Sequence, residues 1–315
     1  MRIAIVGSGA IGSYYGAKLA HAGNDVHFLI RGGLEEVRRG GLHIRGPGED
    51  IRVSRINCYG ATAEIGGCDL VIIAVKATSN AELVDVVPPL LQEGTLLLTL
   101  QNGLGGDEFL AKHFGAERVL GGLCFICLSR ISRTEIQRSD YGHVVLGEFG
   151  RKSQARTHEV AAVFKNAGIV CNVTDNLARE RWDKLVWNIP FNGLSILAGG
   201  VNTSQILADD ALRQTTLALM GEVIAGANRC GHALPEGTAE THIARTEKMN
   251  PYKPSTLVDW EAGRSLEIEA IWGEPIRRAT AAGAEMPRTE FVYVLLKRLD
   301  RARTAGNLTA LSGQV

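Results

Sequence analysis

Arg2-Ile3-Ala4-Ile5-Val6-Gly7-Ser8-Gly9-Ala10-Ile11-Gly12 is the stretch that decides the reading of the first half of the chain. Arg2–Val6 has the length and apolar content of a buried strand, and a helical run with Tyr14, Tyr15, Ala17, Leu19 and Ala20 follows the glycines. Gly23 ends that helix and Asp25–Ile30 reads as a second strand. A Gly-x-Gly-x-x-Gly placed between a first strand and its helix is the arrangement that binds a dinucleotide pyrophosphate. Gly7 permits the tight turn, Gly9 lets the backbone approach the phosphates, and Gly12 lets helix and strand pack closely. Ser8, Ala10 and Ile11 complete the loop, and the helix N-terminus offers unbonded N–H groups to an anion.

The end of the second strand selects between the two nicotinamide dinucleotides. An acidic residue there would hold a ribose 2′-hydroxyl. Arg31 stands there instead, and its guanidinium suits a 2′-phosphate, which points to NADP (NADPH). Leu34–Arg39 reads as a short helix, and Leu42 to Cys58 as short strands around Gly46-Pro47-Gly48. Leu70–Val75 and Thr95–Leu100 are continuous apolar runs, as strands of a parallel sheet covered on both faces should be. They end at Lys76 and at Gln101-Asn102-Gly103. Ligands of such sheets lie beyond the carboxyl ends of the strands, so Lys76 and Asn102 are candidate contacts to the nicotinamide ribose or the substrate. The plainer alternatives are a solvated lysine and a turn residue before glycine. Leu123–Leu128, Glu135–Gln137 and His143–Leu146 read as separate strands. Gln154–Ala167 reads as an amphipathic helix and Val170–Val173 as a last strand.

Beyond about residue 174 the strand signal stops, which divides the chain into residues 1–174, α/β, and residues 175–315, all-α. Within the second part, Lys184, Asn188 and Asn192 recur at i, i+4 and i+8 on a helix otherwise built from Trp182, Leu185, Val186, Trp187, Ile189 and Phe191. A buried lysine in line with two amides is costly unless something polar faces it, so the stripe is expected to line a cleft. A stripe that merely meets water at a domain edge is the alternative. Asn202 follows in the next turn. Leu212–Arg229 and Thr238–Lys248 read as helices. Ser255, Asp259, Gly263 and Glu267 then form an i+4 ladder on one helix face, with Ser255 as N-cap. Arg277–Ala282 and Glu290–Arg301 close the helical part.

Composition bounds the partners. The 315 residues carry 34 Lys+Arg against 34 Asp+Glu, so no charge footprint points to nucleic acid or a membrane surface. The N-terminal stretch turns directly into the glycine loop without a long apolar region, and no run spans a bilayer, so the expected location is the cytoplasm. Cys124 and Cys127 lie inside an apolar run and read as small core residues. The eight histidines show no ligand spacing, and no metal is expected.

Taken in order, these motifs resemble the ketopantoate reductase (2-dehydropantoate 2-reductase) family over nearly the whole chain. They are Gly-x-Gly-Ala-Ile-Gly, Arg31, Val-Lys76-Ala, Gln-Asn102-Gly, Trp-x-Lys184-x-x-x-Asn188-x-x-x-Asn192, and Ser255-x-x-x-Asp259 with Glu267-Ile. The resemblance implies an N-terminal Rossmann-type dinucleotide-binding domain, an all-α C-terminal domain, and a keto-acid substrate in the cleft between them. It implies NADPH-dependent reduction of a 2-keto acid to a 2-hydroxy acid. It makes Lys184 the catalytic general acid and Glu267 the holder of the substrate hydroxyl. It places Asn188, Asn192, Asn202, Ser255 and Lys76 at the substrate, and Gly7 to Gly12, Arg31, Lys76 and Asn102 at the cofactor. There are departures from the family pattern: the run Glu267-Ile-Glu-Ala-Ile-Trp272-Gly273 stands where Glu-Ile-Asp-x-x-Asn-Gly is common, Pro190 sits between Asn188 and Asn192, and Gly193 stands where proline is common. Another keto acid or imine on the same architecture, and a non-enzymatic NADP-sensing protein, remain as alternatives. An apolar helical domain is compatible with a homodimer.

Overall fold

A computed structural model describes residues 1–304, so 305–315 of the expected helical domain lie outside the described residues. The chain forms two units, one of Met1–Asn102 with Gly106–Leu177, the other of Gly103–Gly105 with the residues from Ala178 onward. No helix among the described residues is long and apolar enough to cross a membrane.

The first unit is built on one ten-stranded sheet. Its elements in chain order are β1 (Arg2–Val6), α1 (Ala10–His21), β2 (Asp25–Leu29), α2 (Leu34–Gly40), β3 (Leu42–Gly46), β4 (Glu49–Val53), β5 (Asn57–Tyr59), β6 (Leu70–Ile73), α3 (Leu83–Val86), β7 (Leu96–Thr99), α4 (Gly106–Phe114), β8 (Val119–Arg130), β9 (Glu135–Glu148), α5 (Ala155–Asn166) and β10 (Val170–Thr174). The strand order is β4-β3-β9-β8-β7-β6-β1-β2-β5, with β10 paired to β9. Strands β7, β6, β1 and β2 are mutually parallel. Their alternate side chains enter two cores. Ile3 and Ile5 pack with Tyr15, Leu19 and Phe164 of α1 and α5, while Ala4 and Val6 join Val71, Ile73, Leu97 and Leu110 on the other face. Burial on both faces is why these strands read as unbroken apolar runs. Cys124 and Cys127 are buried on β8.

The stretch expected as three short strands is instead one long antiparallel hairpin, β8 with β9. Its register shifts between Phe125 and Ile126 and again between Cys127 and Leu128. Each shift moves the alternation of inward and outward residues by one while the backbone ladder continues, so the side-chain pattern breaks where the strand does not.

The second unit is helical: α6 (Leu177–Leu197), α7 (Thr203–Ala208), α8 (Asp210–Arg229), α9 (Thr238–Glu247), α10 (Ser255–Glu261), a π-helical turn Glu269–Gly273, α11 (Glu274–Ala281) and α12 (Pro287–Thr304). Its core gathers Trp182, Leu185, Val186, Ile189 and Phe191 of α6 with Leu219, Met220 and Val223 of α8, and with Trp272 and Leu296. The expected ladder from Ser255 to Glu267 does not exist as one helix face. α10 ends at Glu261, and Gly263 takes a φ of +68°, a left-handed conformation that stops the helix. Asp259 and Arg264 then pair at 2.8 Å, and Glu267 lies on the irregular segment leading into the π turn.

Candidate active site

In the first unit, the carboxyl ends of four parallel strands bring together the expected cofactor residues. Gly7 to Gly12 follow β1, Arg31 follows β2, Lys76 follows β6 and Asn102 follows β7. The chain runs from β1 to β2 on one side and to β6 on the other, so the glycine loop sits where the strand order reverses, the usual crevice for a dinucleotide. Gly7 has a φ of +106°, and a Cβ there would lie 2.4 Å from the Val75 backbone nitrogen. A Cβ on Gly12 would lie 2.0 Å from the Gly7 carbonyl oxygen. A Cβ on Gly9 would meet nothing within 4 Å, so the loop is packed behind and open in front. Ser8 Oγ donates to Leu29 O at 2.8 Å and ties the loop to β2. α1 begins at Gly9 with no side-chain cap and no acidic residue in its first turn, which leaves N–H groups and the positive dipole end for phosphates. These residues fit a dinucleotide.

Arg31 is exposed, and its Nη1 donates to Glu82, whose carboxyl is held below its ordinary value by that hydrogen bond and charge. Gln101, which the sequence pattern does not single out beside Asn102, is buried. Its Nε2 donates to Val75 O at 3.0 Å and to Asn80 Oδ1 at 2.7 Å, fixing the backbone turn that carries Lys76. Lys76 and Asn102 are both half-buried. The glycine of Gln-Asn-Gly has its own reason. Gly103 has a φ of +79° and a Cβ there would meet Ala270 O at 2.2 Å, while Leu104 N donates to that same oxygen at 2.9 Å.

In the second unit, α6 runs through Pro190 without interruption and carries Lys184, Asn188 and Asn192 on one face. Trp187 Nε1 donates to Thr246 Oγ1 at 2.9 Å, which fixes the rotation of α6 against α9. Lys184 is half-buried and Asn188 buried. Asn192 is 1% exposed, and its carboxamide is engaged by the protein itself. Nδ2 donates to Asn188 O at 2.9 Å, and Oδ1 accepts from Thr256 N at 3.0 Å and, at the outer limit, from Ser255 Oγ at 3.5 Å. Ser255 is therefore not the N-cap expected for α10. Pro254 occupies that position without a side-chain cap, and Asn192 supplies the missing acceptor from a distant helix. This sets the Ser255 hydroxyl beside the stripe. Asn202 caps α7, its Oδ1 accepting from Gln205 N at 2.9 Å while Gln205 Oε1 accepts from Asn202 N. Glu267 is half-buried between the buried Leu266 and Ile268.

Two of the departures from the family pattern, Gly193 and Trp272, are neighbours in space. A Cβ on Gly193 would lie 3.6 Å from Cζ2 and Nε1 of Trp272, whose indole is fully buried. The large residue at one position packs against the small residue at the other. No group of three His, Cys, Asp or Glu side chains among the described residues could hold a metal ion.

A parallel sheet with a glycine loop at its reversal point, followed by a helical unit bearing a lysine–asparagine stripe, defines a nicotinamide-dinucleotide-dependent oxidoreductase acting on a CH–OH group. Residues 3–151 match the family model described as ketopantoate reductase PanE/ApbA, and residues 176–300 match its C-terminal model. The chain belongs to the ketopantoate reductase family. It is 38% identical over 313 residues to a 2-dehydropantoate 2-reductase of Nostoc sp., covering 98% of each chain. The 2-dehydropantoate 2-reductase structure from Geobacter metallireducens superposes with a TM-score of 0.92 at 44% identity, over 95% of this chain and all of that one. The one from Methylococcus capsulatus gives 0.88 at 34%, over the full length of both.

Proposed function

We propose that this protein reduces 2-dehydropantoate to pantoate with NADPH, a step of pantothenate biosynthesis. One observation carries the reading most directly: Asn192, the third member of the Lys184 stripe, bonds the first turn of α10 and so sets Ser255 beside that stripe. A keto acid needs a cation or donor at its carbonyl oxygen and donors at its carboxylate, and this face offers both. The hydride for the keto carbon would come from the nicotinamide when it is bound. Lys184, as ammonium, stabilises the charge that develops on the carbonyl oxygen and delivers the proton to it. Asn188 and Ser255 orient the substrate by its polar groups, Ser255 at the carboxylate, and Glu267 accepts from a substrate hydroxyl. Asn202 completes the substrate contacts of this helical unit. The glycine loop, Lys76 and Asn102 hold the dinucleotide, with Arg31 at its 2′-phosphate.

The test is steady-state NADPH oxidation with 2-dehydropantoate and a panel of 2-keto acids, including one without the terminal hydroxymethyl group. We expect kcat/KM for 2-dehydropantoate to exceed that for the truncated acid by at least about a hundredfold, because the truncated acid cannot make the hydroxyl hydrogen bond to Glu267. A flat panel, or a better substrate of another shape, would transfer the assignment to that substrate. For the cofactor, Arg31→Ala is expected to raise KM for NADPH by about tenfold or more and KM for NADH by much less. Equal effects on both would remove the 2′-phosphate from the reading.

A further inference from the structure

Resting on the NADPH reading, we propose that Arg133, at the tip of the β8–β9 hairpin, is a second cation of the 2′-phosphate site. In this arrangement Glu82 and Glu36 act as counter-ions that the phosphate displaces. Nothing in the local sequence around Arg31 points to Arg133; the fold brings it there. Pairing of β3 with β9, His43 opposite Glu135, carries the hairpin tip to the segment that follows β2. The tip is an ordered turn. Ser132 Oγ accepts from Thr134 N at 3.2 Å and from Glu135 N at 3.0 Å, and Ile131 N donates to Glu135 O at 3.0 Å.

From that turn the Arg133 side chain lies across Gly32 and Gly33. A Cβ on Gly33 would fall 2.2 Å from Arg133 Cδ and 2.8 Å from Nε, and a Cβ on Gly32 would fall 3.1 Å from Nη1. Two adjacent glycines therefore give the guanidinium room beside the backbone that immediately follows Arg31. Arg31 immediately precedes this glycine pair and Arg133 lies across it, at the end of β2, where the fold puts the adenosine ribose.

Each guanidinium is held by a carboxylate. Arg31 pairs with Glu82, and Arg133 Nε lies 3.5 Å from Glu36 Oε2. All four side chains are about half exposed, between 49% and 56%. Exposed pairs of this kind contribute little and exchange readily. A phosphate monoester brings up to two negative charges and three acceptor oxygens, and planar guanidinium groups match it bidentately. Replacing two weak ion pairs by one dianion shared between two arginines is thus favourable, and it occurs only when the ribose carries the phosphate. Glu82 also sharpens the choice: beside a bare 2′-hydroxyl it can accept a hydrogen bond, and beside a 2′-phosphate it must yield Arg31.

The experiment measures equilibrium binding by titration calorimetry without keto acid, using 2′,5′-ADP against ADP and NADPH against NADH. In the wild type the phosphorylated member of each pair is expected to bind more tightly. Arg133→Gln, which keeps most of the side-chain stem, is expected to narrow both ratios by about tenfold while ADP and NADH change less than about twofold. Glu82→Gln is expected to widen them. Arg133→Lys is expected to fall between wild type and Arg133→Gln. Ratios narrowed by Arg31→Ala but untouched by Arg133→Gln would overturn the role of Arg133 alone. A parallel loss of all four ligands in Arg133→Gln would make it a packing residue and also overturn the proposal. Wild-type ratios near one would overturn it together with the NADPH reading.

Discussion

Lys184→Ala is expected to lower kcat by roughly two to four decades, the usual contribution of a positioned proton donor, while the dissociation constant for NADPH stays within about twofold. The argument starts from α6. Trp182, Leu185, Val186 and Ile189 are buried in the helical core, so the helix cannot rotate to hide or expose the stripe without breaking that core. The Cα–Cβ bond of Lys184 therefore keeps its direction, and the side chain leaves α6 on the same face whether or not substrate is bound. On the proposed reading its ammonium would meet the reacting carbonyl oxygen more strongly as charge grows there, and an interaction that grows in this way raises kcat rather than only lowering KM. Lys184→Arg separates the two duties of the residue. Arginine keeps the charge but, being protonated at any working pH, gives up its proton poorly, so it should recover substrate affinity and little of the turnover. Near-normal turnover in Lys184→Ala would sink the assignment of Lys184. Full activity in Lys184→Arg would leave it an electrostatic role only.

The parts of the fold that were legible in the chain are those fixed by neighbours in sequence. β1, α1, β2, β6 and β7 follow from apolar runs and the glycine loop, because the strands are buried on both faces. The continuous β8–β9 hairpin was not legible, because two register shifts interrupt the side-chain alternation that marks a strand. The Ser255–Glu267 ladder misled for the opposite reason. Its i+4 spacing was regular, but a single residue, Gly263, turned the backbone left-handed and ended the helix. Long-range contacts make up the rest. The Arg31–Glu82 pair joins residues 51 apart, and the acceptor that caps α10 comes from 64 residues away. Gln101 was within reach, since it adjoins Asn102 in the same strand end. Its buried carboxamide, bonded to Val75 O, shows why a glutamine belongs there.

Asn192→Ala is expected to cost about 1–3 kcal/mol of stability and also to lower kcat/KM by about tenfold to a hundredfold. Both effects come from one carboxamide. Its oxygen is the hydrogen-bond acceptor for the buried Thr256 N–H, and α10 begins at a Pro254 that supplies no side-chain cap. Alanine leaves that N–H without the acceptor in a place where water does not replace it easily, which is the costly way to lose a hydrogen bond. The same loss frees the first turn of α10, and the Ser255 hydroxyl moves with it. Ser255 is exposed, so Ser255→Ala should reduce activity with little change in the urea midpoint. The double variant then decides how Asn192 works. If it acts by placing Ser255, the activity losses of the two single changes will overlap, and the double variant will be little worse than the weaker single one, while the stability loss of Asn192→Ala persists in full. Additive losses in activity would instead assign Asn192 its own contact with the substrate. An unchanged urea midpoint in Asn192→Ala would remove the bond to α10 from the account altogether.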